Sequence, residues 1–282
     1  MNEFWKRTLS GAIYVGVVVS SILYHPVFYG IAFSLIILLA VREYHHLTKM
    51  SRVNTIMAAI SAVLLFVTCW IPVGMQNYCY GFLMTICFVL YCLMLISSLV
   101  IELWLKSDDP IQNWGKTLQS QVMIALPIAM MSALMFFDKY LLLTVFVLIW
   151  VNDSGAYCVG VLSSKMPGGN HKMFPRVSPK KSWEGLFGGF LFAIAASILI
   201  AHLGWYDWLI QHSSVNMYVI SIVFAIVVAV AGTLGDLMES LLKRTIGVKD
   251  SGRFLPGHGG VLDRFDSILL AVPAALLLVI IL

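Results

Sequence analysis

Long apolar runs parted by short polar breaks recur along the whole 282-residue chain. They fall at about 8–24, 27–41, 54–72, 78–101, 118–137, 140–162, 185–204, 216–238 and 262–282. Each is near the roughly 20 residues that a helix needs to cross a ~30 Å hydrocarbon core. The pattern therefore predicts an all-α polytopic membrane protein of about nine transmembrane helices. Residues 1–24 have the Lys6-Arg7 start and apolar run of a signal peptide, but "YHP" leads straight into another apolar segment, which reads as a retained hairpin. Residues 1–117 form an amino-terminal set of helices 1 to 4. Residues 118–282 form helices 5 to 9, whose loops carry the candidate chemistry.

Composition agrees: 60% of residues are hydrophobic and 11% charged, more apolar side chain than a soluble domain can bury. The net charge of +4 is unevenly placed. Two of the 18 Lys and Arg lie in the amino-terminal tail, three in "REYHHLTKMSR", two between Lys106 and Lys116, five in 163–184 and five in 243–264; only Lys139 falls on the other side. By the positive-inside rule this puts the amino terminus in the cytoplasm and the carboxyl terminus outside. Membrane lipid, and not nucleic acid, is the expected partner of that basic face. The five cysteines have no CxxC pair, so they read as structural thiols.

Acids inside spans are costly and mark candidate sites. Asp153, in "WVNDSGAY", lies about 20 Å along its helix from Tyr140 at ~1.5 Å per residue. Asp236, in "GTLGDLMES", lies near the cytoplasmic interface with no acid–base partner in its own helix, whereas Glu239 is four residues before Lys243, the spacing of a helical ion pair. Asp263 and Asp266 are three apart and are expected to share a face in the first turn of the last helix. Between these acids runs "KRTIGVKDSGRFLPGHGGVLDRFD", with eight charged residues, His258 and five glycines, Gly259 and Gly260 among them. A second polar loop, "NHKMFPRVSPKKSWEG", offers Ser178, Lys180 and Lys181. Acids alternating with bases on open glycine backbone suit a phosphate chain held with a divalent metal: carboxylates take the cation, while Lys, Arg and backbone N–H groups take phosphate oxygens.

Ser240–Asp266, "SLLKRTIGVKDSGRFLPGHGGVLDRFD", resembles the signature of the phosphatidate cytidylyltransferase (CDP-diacylglycerol synthase) family, as do "NDSGAY", "VSPKKSWEG" and "GDLMES". The resemblance covers roughly residues 150–282. It implies that phosphatidate and CTP give CDP-diacylglycerol and pyrophosphate at the cytoplasmic face of a bacterial inner membrane, with Mg2+ and as a homodimer. It also implies that Asp236 and Asp263 bind the metal at one site, supported by Asp266. Lys180, Lys181, Lys249 and Arg264 are the expected phosphate contacts, with Ser178, Lys243, Arg244, His258, Gly259 and Gly260 as further substrate-binding positions. Asp153 is placed at the membrane-side wall, holding water or a second cation. A CDP-alcohol phosphotransferase would need DGxxAR, which does not occur. The rival of another class, an ion-coupled secondary transporter using Asp153 and Asp236, lacks the expected internal repeat.

Overall fold

The computed structural model describes residues 3–75, 80–252 and 259–282, the side chains of residues 3–7 excepted. The helices are α1 (Glu3–Leu23), α2 (Pro26–Leu47), α3 (Arg52–Gly74), α4 (Tyr80–Val100), α5 (Glu102–Leu105), α6 (Pro110–Ser120), α7 (Leu126–Phe137), α8 (Lys139–Ser164), α9 (Trp183–His202), α10 (Asp207–His212), α11 (Met217–Ile246), α12 (Leu262–Phe265) and α13 (Ile268–Ile281). A two-stranded antiparallel hairpin, β1 (Lys172–Phe174) and β2 (Ser178–Ser182), precedes α9. Eight described segments are long and apolar enough to span a membrane, and the apolar part of α1, Thr8–Leu23, is shorter. The all-α polytopic expectation holds.

Helix ends follow local chemistry. Ser51, Asp109, Asp138, Ser182 and Asn216 cap α3, α6, α8, α9 and α11 with side-chain oxygens that accept backbone N–H groups left without intrahelical partners. Gly247, with φ of 79°, ends α11 in the left-handed region. The fifth expected span begins earlier, at Pro110, and its α-helix is interrupted by a π-helical turn at Gln121–Ala125. The last span has a turn at Asp266–Ser267, between α12 and α13, where Asp266 Oδ1 accepts the Ser267 N–H at 2.6 Å, a local side-chain bond of the kind that competes with the helix ladder. Asp263 thus lies in α12 and Asp266 in the turn that follows it.

By its contacts the chain divides into two compact units. The first is Met1–Phe136 with Asp250–Phe265. Its core holds Tyr29, Phe33 and Phe66, with Phe265 of α12 edge-on to Phe33 and to Tyr14. Buried polar groups are tied across helices: Tyr44 donates to Gln119 at 2.7 Å, Gln121 donates to the Ala58 carbonyl at 3.0 Å, and the His45 ring bonds Ser120 at 3.1 Å. Such ties fit a membrane interior, where an unpaired polar group has no water to turn to.

The second unit is Phe137–Lys249 with Asp266–Leu282. Its tightest packing, α8 against α9, is a small-residue seam. A Cβ on Gly155 would lie 2.8 Å from Phe192, and one on Gly189 would lie 2.7 Å from Asn152 Oδ1. Helix α11 reaches α13 the same way, since a Cβ on Gly235 would be 2.6 Å from the Asp266 carbonyl oxygen. The hairpin turns at Pro175, where Val177 N–H donates to Phe174 O at 3.1 Å across a proline that presets φ.

Candidate active site

Within the second unit, the close approach at Gly235 sets where α11 carries the next residue, Asp236. Strand β2 supplies its partner: Lys181 Nζ lies 2.6 Å from Asp236 Oδ2 and 3.4 Å from the Thr233 carbonyl oxygen. Asp236 Oδ1 also accepts from Ser240 Oγ at 3.3 Å. Alternate residues of a strand face opposite ways. Lys180 is accordingly exposed while its neighbour Lys181 is half-buried. Both lysines line a cavity of about 240 Å³ together with Asn152, Asp153, Ser182, Gly185, Thr233 and Asp236. Asp153, from α8, lies within electrostatic reach of both Asp236 and Lys181, and Asn152 Nδ2 is 3.5 Å from its Oδ1.

A second group of charges adjoins Asp236. Asp266 lies within electrostatic reach of Asp236, Glu239 and Lys243. The expected Glu239–Lys243 ion pair is present and buried. Lys243, expected at substrate, pairs with a carboxylate on its own helix. Arg244 is exposed and donates to the Val177 and Val248 carbonyls at 3.4 and 3.1 Å, which ties the end of α11 to the hairpin. Lys249 is exposed, and Ser178 is half-buried at the start of β2. At the hairpin's other end, Glu184 accepts from the His171 backbone N–H and meets its ring Nδ1 at 2.6 Å.

In the first unit, Asp263 Oδ2 accepts the N–H groups of Ser251 and Gly260, at 2.9 and 2.8 Å. Gly259 has φ of 85°, and a Cβ there would lie 2.5 Å from that same oxygen, so glycine is required on both counts. Arg264 accepts from Tyr14 OH through its backbone carbonyl. His258 lies outside the described residues. Cys69, Cys87, Cys92 and Cys158 are free thiols, and Cys79 is not among the described residues.

One residue was missed. Glu43, on α2, accepts the Val261 and Leu262 N–H groups at 3.0 Å each and the Ser251 hydroxyl at 3.3 Å. The available signal was its isolation, as it is the one acid between Glu3 and Glu102.

Among the described residues, no three His, Cys, Asp or Glu side chains stand at metal-cluster spacing. Mg2+ does not need such a cage, because it is commonly held by one or two carboxylates and completes its shell with water and substrate phosphate. Asp236 offers hard carboxylate oxygens of that kind, and Asp153 and Asp266 are acids within its electrostatic reach.

The profile of the cytidylyltransferase family matches residues 5–282. A phosphatidate cytidylyltransferase from Haemophilus influenzae is 44% identical over 134 residues, which cover 48% of this chain and 43% of that protein. One of the same name from Staphylococcus epidermidis is 42% identical over 142 residues, 50% of this chain and 49% of its own length. A third, from Staphylococcus aureus, is 40% identical over 139 residues. The chain thus spans about half the length of the curated relatives it matches.

Proposed function

The chain belongs to the cytidylyltransferase family, and from that premise we propose that it transfers the cytidylyl group of CTP to phosphatidate, giving CDP-diacylglycerol and pyrophosphate. The observation that carries the reading is the Lys181–Asp236 pair, 2.6 Å apart on the wall of a cavity that Asp153 and Lys180 also line. In the reaction an oxygen of the lipid phosphate attacks the α-phosphorus of CTP. The bond from that phosphorus to the bridging oxygen breaks, and pyrophosphate leaves with the electron pair. The nucleophile is already an anion, so the residues have no strong base to supply. Their task is to bring two anions together and to neutralise charge that grows on the leaving group.

Lys180 and Lys181 are suited to that task, one exposed at the mouth and one held inward. Asp236 keeps Lys181 extended into the cavity before substrate arrives, and an incoming phosphate then shares the ammonium group. Exposed Lys249 and Arg244 extend the cationic surface. When bound, Mg2+ would supply Lewis-acid neutralisation of phosphate charge, with Asp236 as its ligand and Asp153 and Asp266 as the acids in reach. We also assign metal binding to Asp263, and a homodimer to the whole, on the resemblance alone. The one-sided placement of Lys and Arg supports a bacterial inner-membrane protein with its amino terminus and active site facing the cytoplasm.

The deciding assay uses purified protein in detergent with phosphatidate, labelled CTP and Mg2+, following pyrophosphate and label in the lipid. Equal yields of both are expected. CTP breakdown without labelled lipid would refute the reaction, and uptake by vesicles driven by a pH or sodium gradient would favour a transporter.

A further inference from the structure

We infer that Glu43 is a positioning residue that holds the signature loop in its working shape from α2. The inference rests on the proposed cytidylyl transfer for its kinetic arm only. Three donors converge on this half-buried carboxylate: Val261 N–H on Oε1, and Leu262 N–H and Ser251 Oγ on Oε2. They fill about three of the roughly four acceptor sites of a carboxylate. The Val261 and Leu262 amides stand at the start of α12, so Glu43 satisfies N–H groups that the short helix cannot pair by itself.

Ser251 is the joint between two carboxylates. Its hydroxyl goes to Glu43, while its N–H goes to Asp263 Oδ2, which also takes the Gly260 N–H. Glu43 and Asp263 therefore pin the two ends of the loop, Ser251 and Gly260–Leu262, to each other and to α2. Space is kept for this. A Cβ on Gly252 would be 2.5 Å from Glu43 Oε1, and one on Gly260 would collide with Oε2. Two glycines of the signature thus stand where a side chain would meet the Glu43 carboxylate, and at Gly260 the Ser251 hydroxyl as well. Because Asp263 is held by the N–H groups of Ser251 and Gly260, which adjoin the Glu43 contacts at the Ser251 hydroxyl and the Val261 N–H, loss of Glu43 acts on the reaction through Asp263 and its loop.

Glutamine makes the test sharp. It keeps the size of glutamate, but one of its two terminal atoms becomes an NH2 donor facing a backbone N–H. Aspartate keeps the charge and falls one methylene short. Glu43→Gln and Glu43→Asp are expected each to lower kcat about tenfold or more, the scale of one charge-assisted bond, with KM for phosphatidate unchanged. Amide exchange at Ser251, Gly260, Val261 and Leu262 should quicken by a comparable factor of about ten. Ser251→Ala, which removes only the 3.3 Å bond, should show a smaller loss in the same direction. Unchanged exchange at these amides in Glu43→Gln overturns the inference, and so does quickened exchange with kcat kept. Should wild-type protein make no CDP-diacylglycerol, the proposed reaction fails, and exchange alone decides whether Glu43 holds the loop.

Discussion

Replacing Asp236 by asparagine tests the centre of the site, because it keeps the side chain's shape and removes the charge that meets Lys181. The two groups are 2.6 Å apart, with side chains 29% and 24% exposed. At that distance the bare attraction is roughly 6 kcal/mol at an effective dielectric of about 20. Desolvation and competing water leave a net of about 1.5–3 kcal/mol for a bond between charged groups. That corresponds to about a 10- to 150-fold effect. Losing the carboxylate also frees Lys181 to swing toward Asp153, the other acid in its reach. Asp236→Asn should therefore lower kcat/KM for CTP by about 10- to 150-fold, and Lys181→Met by about tenfold or more. The four proteins of the cycle would be compared in detergent at saturating phosphatidate and Mg2+, with thermal unfolding as the check on folding. The pair acts as a unit, so the double variant should fall less than about threefold below the worse single one. Effects that simply multiply would refute the coupling, and substantial activity in Asp236→Asn would remove that residue from the site. Asp207→Asn, at the start of α10 in the segment between α9 and α11, is the control and should be close to neutral.

Other expectations follow from particular contacts. Gly235→Ala forces a methyl group against the Asp266 carbonyl, and should lower stability by about 1–3 kcal/mol in thermal unfolding, as overpacked sites do; Gly16→Ala, with nothing within 4 Å, should be neutral or slightly stabilising. Lys180→Ala and Lys249→Ala remove exposed cations and should impair use of CTP more than use of phosphatidate, each by about tenfold in kcat/KM; equal losses for both substrates would mean that these lysines only shape their loops. Cysteines placed at exposed Lys172 and Asp250 in a cysteine-free background should resist an impermeant maleimide in intact cells and react after permeabilisation. Labelling in intact cells would invert the proposed orientation.

Much of this protein is decided locally. Span positions follow from apolar run length, because the bilayer sets a fixed thickness and forces backbone bonds to close within each helix. The Glu239–Lys243 pair follows from spacing alone, since i and i+4 side chains meet on any helix. The lysines and glycines of "VSPKKSWEG" and the glycine-rich loop, on which the proposed phosphate handling rests, are equally legible, because they are residue types within short segments.

Partnerships across distant segments are another matter. Asp236 shows no counter-ion in its own helix, and only the return of β2 brings Lys181 to it from 55 positions earlier in the chain. The turn at Asp266–Ser267, where the Asp266 carboxylate takes the Ser267 N–H, interrupts a run that the apolar pattern reads as one continuous helix. Glu43 reads as an ordinary acid at a helix end until the chain brings Val261 and Leu262 back to it, 218 and 219 positions away. Periodicity records which face of an element is apolar, and it carries no term for which distant donor a carboxylate will meet. The tertiary structure settles that choice, because a half-buried charge persists only where several donors converge on it.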